Sequence, residues 1–468
     1  MLFPTLSFGL FFLVVFALAW STSSNDWRKL ILLIASWIFY GAWDWRFVPL
    51  LILSAVMNWG VAALIVRRDD AKRRKALMLG GVVANLVMLG FFKYFDFFAE
   101  QAGSLLELLD VRQDPALMQV ILPVGISFFT FQGISYAVDV YKGRVPAARL
   151  LDILLLMSFF PHLVAGPIVR ASDLVPQFQQ KPQLNRGMVT MGLLLIVWGL
   201  FKKAVIASEL ATAFVDPVFE APMMHGRVDL ILAAYGYAVQ IYCDFSAYSD
   251  MAIGIAALLG YRFPRNFDRP YRSASLQEFW RRWHISLSRW LRDYLYIDAL
   301  GGNRGGKTRV YRNLMITMLL GGLWHGAAWT FVIWGGLHGA ALCVERWWSR
   351  AALTKAWVLP HWAKVALTFH VVVLGWIFFR AASFDDAVAY LGGIFAPGVD
   401  TMTVTPLVVL LIAFGLAIHA LPWDAMQRAA QRLRTLPAPA FALGLAATML
   451  VVDAMRYEGV APFIYFRF

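Results

Sequence analysis

Phe47–Val66 (FVPLLILSAVMNWGVAALIV), Arg67–Lys75 (RRDDAKRRK) and Ala76–Phe92 (ALMLGGVVANLVMLGFF) follow one another without a break. An apolar run of about 20 residues is long enough for a helix to cross a ~30 Å hydrocarbon core. The short connection is strongly basic, which places it on the cytoplasmic side of a membrane. Counting back puts Trp43–Arg46 outside, Arg28 and Lys29 inside and Met1 outside. Counting forward puts Lys93–Leu117 outside, where Asp96, Glu100, Glu107, Asp110 and Asp114 outnumber Lys93 and Arg112. The pattern is that of an all-α, polytopic integral membrane protein.

Runs of the same kind recur at Thr5–Trp20, Met118–Val138, Leu150–Gly166, Met188–Val205, Asp229–Cys243, Asn313–Trp334, Val365–Phe379, Val404–Ala420 and Ala440–Val452. Several are too short to span alone, and Leu30–Trp43 is interrupted by Tyr40 and Gly41. These lengths predict a single polytopic domain over residues 1–468, with roughly ten to thirteen helices, some tilted, broken or re-entrant. No Lys or Arg precedes Thr5–Trp20, so it reads as a retained first span and not as a signal peptide.

Composition agrees. Of 468 residues, 60% are hydrophobic and 15% charged, against about 45–50% and about 25% in soluble chains. A cytosolic globular enzyme is excluded, and the 15% aromatic content excludes disorder. Cys243 and Cys343 are too few for a disulfide framework or a cysteine zinc site. A net charge of +13 would suggest nucleic acid in a soluble protein. In a membrane protein it reflects basic cytoplasmic loops, and no nucleic-acid partner is expected.

The most hydrophilic region, Tyr261–Arg312, is dense in Trp, Arg and Gly and is expected on the cytoplasmic side. Ser275 and Glu278 have capping-box spacing and predict a helix from Leu276 to Arg292. On it Trp280, His284, Leu287 and Leu291 would share one stripe, with Arg281, Arg282, Arg289 and Arg292 on other faces. Such a helix suits the membrane interface. Gly301–Thr308 literally satisfies the phosphate-loop pattern G-x-x-x-x-G-K-T. It has no α/β context, so a basic glycine turn between helices is expected. His325 falls near the middle of the Asn313–Trp334 run, where an ionisable side chain is costly and points to function. Gly321, Gly322 and Gly326 around it leave room for another backbone or a tunnel. His338 is a weaker candidate, and His162, His370 and His419 read as packing residues.

A neutral imidazole can move a proton between a hydroxyl or thiol and a leaving group near neutral pH. Acyl transfer from a thioester fits that capacity and needs no metal. G-x-S-x-G, H-E-x-x-H and Cys-x-x-Cys motifs are absent from the sequence. Asp244, Ser246, Tyr248, Ser249 and Asp250 form a polar patch suited to hydrogen bonds between helices.

Seven motifs, in order, resemble those of the membrane-bound O-acyltransferase (MBOAT) family, in particular its alginate-acetylating branch. They are Leu122–Phe128, Phe160–Arg170, Asp244–Ala252, Glu278–Ser288, Gly301–Arg304, Trp324–Gly326 and Pro462–Phe466. The resemblance implies helices around a transmembrane tunnel. It implies His325 of the Trp-His-Gly motif as the catalytic histidine and His284 as the second. It further implies cytoplasmic acetyl-CoA as donor, no metal, and a bacterial inner-membrane location among membrane lipids. Arg269, Arg272, Arg281 and Arg289 become candidates for the CoA phosphates. The acceptor would be an exported polysaccharide of alginate or cellulose type, reached through a periplasmic or membrane-anchored acetyltransferase beside a polysaccharide synthase complex. Peptidoglycan or a D-alanylated wall polymer is an alternative acceptor. The rival readings are a polysaccharide-intermediate transporter or flippase, and a phosphate-loop ATPase.

Overall fold

Asp70 turns the chain between two long helices. Its carboxylate accepts the backbone N–H groups of Lys72 and Arg73 at 3.1 and 3.2 Å, capping the helix Ala71–Glu107. That helix has 37 residues and is about 55 Å long, well beyond a bilayer core. Lys93, Asp96 and Glu100 therefore lie on this helix and not in the loop expected from Lys93. Apolar patterning ended at Phe92, but helix hydrogen bonding did not.

The computed structural model describes residues 3–107, 120–349, 359–396 and 402–455. Asp110, Arg112, Asp114 and the Pro462–Phe466 motif lie outside the described residues. The described residues are helical with no strand, as the apolar runs require. Among the described residues, five helical stretches are long and apolar enough to cross a membrane: residues 25–66, 71–103, 186–220, 361–380 and 438–455. A bent pair, Pro406–Ala420 and Trp423–Leu433, turns through 84°. Of the run Met118–Val138, described from Val120 on, the helical part begins at Ile126, because Gly125 adopts φ +77° and ends the preceding turn.

The contacts group the chain into two compact units, Met1–Gln183 with Leu259–Phe263, and Leu184–Leu258 with Pro264–Phe468. The first is held by buried polar pairs. Lys29 donates to Asp152 at 2.7 Å with both side chains buried, and Asn58 and Asn85 exchange amide hydrogen bonds. His162 packs as expected: its Nε2 lies 2.9 Å from Gln132 Nε2 and 2.9 Å from the Leu156 carbonyl.

The second unit is built on Arg186–Phe201 against the 32-residue helix Arg227–Leu258. Gly192, Gly199 and Gly254 allow the two backbones to approach: a Cβ at Gly199 would lie 2.8 Å from the Ala247 carbonyl oxygen. The first helix continues as π-helix through Lys202–Ala207. The wider turn carries Lys202 and Lys203 into the interior. There Lys202 meets Asp250 and Ser246, each at 2.7 Å, and Lys203 meets Asp244 at 2.8 Å. The polar patch at Asp244–Asp250 thus joins helix to helix.

Asn313–Trp334 was expected as one span with His325 inside it. The structure corrects this: Lys307–His325 and Trp329–Trp348 form a hairpin, and His325 is the last residue of its first arm. The glycines serve the hairpin. A methyl group at Gly322 would strike the Phe331 carbonyl oxygen, and one at Gly335 the Met318 carbonyl oxygen. Gly336 instead meets only a Leu319 methyl at 3.6 Å. Gly335→Ala should therefore lose about 1–3 kcal/mol or more and lower the melting temperature of the detergent-solubilised protein. Gly336→Ala should leave it unchanged.

Candidate active site

The expected helix Leu276–Arg292 is broken at its histidine. Leu276–Arg282 ends, Ile285–Trp290 begins, and His284 between them adopts φ +40°, ψ +56°. Ser275 caps as predicted, accepting from Glu278 N–H at 3.1 Å, and Glu278 reaches back to Ala274 N–H at 2.8 Å. The break has a long-range cause. Asn266 Oδ1 accepts from Ser286 N–H at 3.1 Å and Ser286 Oγ at 2.9 Å, and the Asn266 carbonyl accepts Ile285 N–H at 2.8 Å. These bonds restart the helix one residue after His284. Asn266 is itself fixed by Ser249 at 3.0 Å.

Among the described residues only Arg269 (φ +51°) and His284 are non-glycine residues with positive φ. Such conformations are unfavourable for side-chain-bearing residues and concentrate at functional sites. His284 is fully buried. Its Nδ1 lies 3.2 Å from Asn266 Oδ1, so Nδ1–H donates there and the lone pair falls on Nε2. Nε2 is buried with no hydrogen-bond partner among the described residues.

His325 is buried between the edges of three rings: Trp324 at 5.1 Å, Trp334 at 5.1 Å and Phe379 at 5.3 Å between centroids. The indole of Trp324 also lies 6.2 Å from the His284 ring. The break and the hairpin together bring both histidines onto one tryptophan. His338 belongs to the same aromatic layer, 5.2 Å from Trp280 and 4.9 Å from Trp334.

A cavity of about 750 Å³ lies beside this layer, lined by Trp280, Arg281, Arg289, Arg292, Arg304 and Arg346 among others. It is within the size range of sites for cofactor-sized molecules. Arg292 pairs with Asp293. Arg281, Arg289 and Arg304 have no acidic partner among the described residues, so their forks are open to an anion. Trp280 walls the cavity and packs on Trp334 at 5.6 Å, which packs on His325. One aromatic layer separates the arginines from the imidazole.

The four predicted phosphate candidates therefore part company. Arg281 and Arg289 share this cavity. Arg269 lines a different one, and Arg272 is exposed and lines neither. Arg346 and Asn266 were missed. Arg346 is near only because the hairpin returns the chain, and Asn266 acts through a side-chain acceptor that no local pattern marks. The Gly301–Thr308 turn follows a π-helical stretch, Leu291–Ala299, and opens Lys307–His325. With no strand before it, it is not a nucleotide loop. No group of three metal-ligating side chains converges among the described residues.

Asn266→Ala should let the His284 turn relax and lower activity about 10- to 100-fold, read as product formed at matched protein level.

A helical membrane protein with two buried histidines beside an arginine-lined cavity has the parts of an acyl-transfer enzyme. Comparison agrees: the family model for MBOAT, the membrane-bound O-acyltransferase family, matches residues 147–384. The chain is 43% identical over 392 residues to a protein of Pseudomonas aeruginosa named "Probable alginate O-acetylase AlgI", covering 83% of this chain and 73% of the relative. It is 40% identical over 392 residues to a peptidoglycan O-acetyltransferase of Helicobacter pylori, covering 78% and 73%. It is 28% identical over 280 residues to a teichoic acid D-alanyltransferase of Bacillus subtilis, covering 56% and 69%. The chain belongs to the membrane-bound O-acyltransferase family and is a multi-pass membrane acyltransferase.

Proposed function

We propose that this acyltransferase takes an acetyl group from cytoplasmic acetyl-CoA and passes it across the bacterial inner membrane for O-acetylation of an exported polysaccharide. The observation that carries the reading is the arginine-lined cavity one aromatic layer from His325. Guanidinium forks at Arg281, Arg289 and Arg304 suit the CoA phosphates. The thioester arm would pass toward His325. There the imidazole takes the proton of the acceptor hydroxyl as its oxygen bonds to the acetyl carbonyl carbon. The carbon–sulfur bond breaks, and the departing thiolate receives that proton from the imidazolium. His284, with its lone pair on Nε2, holds the acceptor or donor in line.

The acceptor follows from the relatives. An alginate-type polymer is favoured by the P. aeruginosa protein, and peptidoglycan is a second reading favoured by the H. pylori one. Delivery would be completed by a periplasmic or membrane-anchored acetyltransferase acting beside the polymer synthase. The test is base-labile acetate in exported polysaccharide and in purified peptidoglycan, measured with and without this gene. Loss from the polysaccharide alone supports the first reading. Loss from peptidoglycan alone supports the second, and loss from neither contradicts both.

A further inference from the structure

Arg269 points to a second anion site. It lines a cavity of about 250 Å³ together with Lys202, Asp250, Arg265, Phe267 and Trp423. Three cations share two carboxylates there. Lys202 pairs with Asp250 at 2.7 Å, while Arg265 and Arg269 both pair with Asp268, at 2.6 and 3.1 Å. The cluster carries one uncompensated positive charge, which a single phosphodiester would balance. The space is below the roughly 300–1,000 Å³ of ordinary small-molecule sites, too small for a nucleotide with its several phosphate charges. The rest of the lining is apolar or aromatic, including Trp198, Ile418, Leu421 and Met426.

Its outer wall identifies the setting. The chain bends by 84° between Pro406–Ala420 and Trp423–Leu433. On the second helix Trp423, Met426, Ala430 and Leu433 fall on one face, and Asp424, Arg428, Gln431 and Arg432 on the other. That is the pattern of a helix lying in the membrane interface. Trp423 covers Arg265, whose guanidinium carbon is 4.7 Å from the indole centroid.

We propose that this cavity holds the headgroup of a monoanionic phospholipid, with the phosphate on Arg265 and Arg269 and the acyl chains over Leu421 and Met426. The site is coupled to His284 through the chain itself. Arg265 Nε donates to the Phe267 carbonyl at 2.8 Å, Phe267 stacks on His284 at 6.3 Å, and Asn266 between them holds the His284 turn. A bound headgroup therefore braces the segment that positions the second histidine.

The test is native mass spectrometry of the full chain, released from nanodiscs of phosphatidylcholine containing one-fifth phosphatidylglycerol. The wild type should retain phosphatidylglycerol in preference to phosphatidylcholine. The Arg265→Gln/Arg269→Gln double variant should lose that preference at least fivefold. Millimolar inorganic phosphate should not displace the lipid. Equal retention of the two lipids by the wild type, or an unchanged preference in the double variant, overturns the proposal. So does binding of inorganic phosphate without any retained phospholipid. Should the double variant be poorly recovered, Met426→Glu, which places a carboxylate at the lip, should abolish the preference, and retention by it overturns the site equally.

Discussion

Replacing His325 by alanine should lower acetyl transfer about 10²- to 10⁴-fold, the usual contribution of a positioned general base, with donor affinity held within about threefold. The split follows from the geometry. His325 is separated from the arginine-lined cavity by Trp280 and Trp334, so donor phosphates do not depend on it. Its imidazole packs against the rings of Trp324, Trp334 and Phe379, and the expected loss is that of the proton-carrying group itself. His325→Gln, which keeps polarity and approximate size but cannot carry the proton, should be as inactive as His325→Ala. Equal recovery after solubilisation would show that packing around Trp324 survives. Polymer-bound acetate at matched expression is the measurement, and activity in His325→Gln near wild type would assign the ring a packing role.

Converting Arg281 and Arg289 together to glutamine should weaken acetyl-CoA binding about 10²- to 10⁴-fold, since each charge-assisted hydrogen bond contributes about 1.5–3 kcal/mol. The turnover rate at saturating donor should change little. Wild-type affinity should fall as salt is raised, and the variant's should depend on salt less steeply. Arg272→Gln should bind like wild type, because Arg272 is exposed and lines neither cavity. Direct titration of the solubilised protein with CoA separates these outcomes. An unchanged affinity in the double variant would move the donor elsewhere.

The membrane class was legible because it rests on composition and run length, which survive any arrangement of helices. The two candidate histidines were singled out by motif. Their geometry was not. Leu276–Arg292 contains no proline or glycine, and helical periodicity continues through His284. The helix stops there because Asn266, distant in sequence, captures the Ser286 N–H. The hairpin at His325 was half visible: Gly321, Gly322 and Gly326 signalled a close approach, and for Gly322 and Gly326 the partner proved to be the chain's own return arm, while Gly321 faces Leu291. Lys202 and Lys203 were hidden inside an apolar run, because a π-helical turn that buries two lysines against carboxylates leaves no periodic trace. Arg281 and Arg289 were singled out as candidates from the sequence while Arg346, which lines the same cavity, was not, for the same reason. Sequence spacing reports neighbours on one helix and is silent about helices that fold back.

The most direct test of the central claim uses the purified chain in vesicles with acetyl-CoA labelled in the acetyl group, a hydroxyl-bearing oligosaccharide acceptor and any delivery partner encoded beside it. The wild type should release free CoA thiol and ester-linked label in equal amounts. His325→Ala should bind the donor and yield neither. Label transfer by His325→Ala at the wild-type rate would contradict the account.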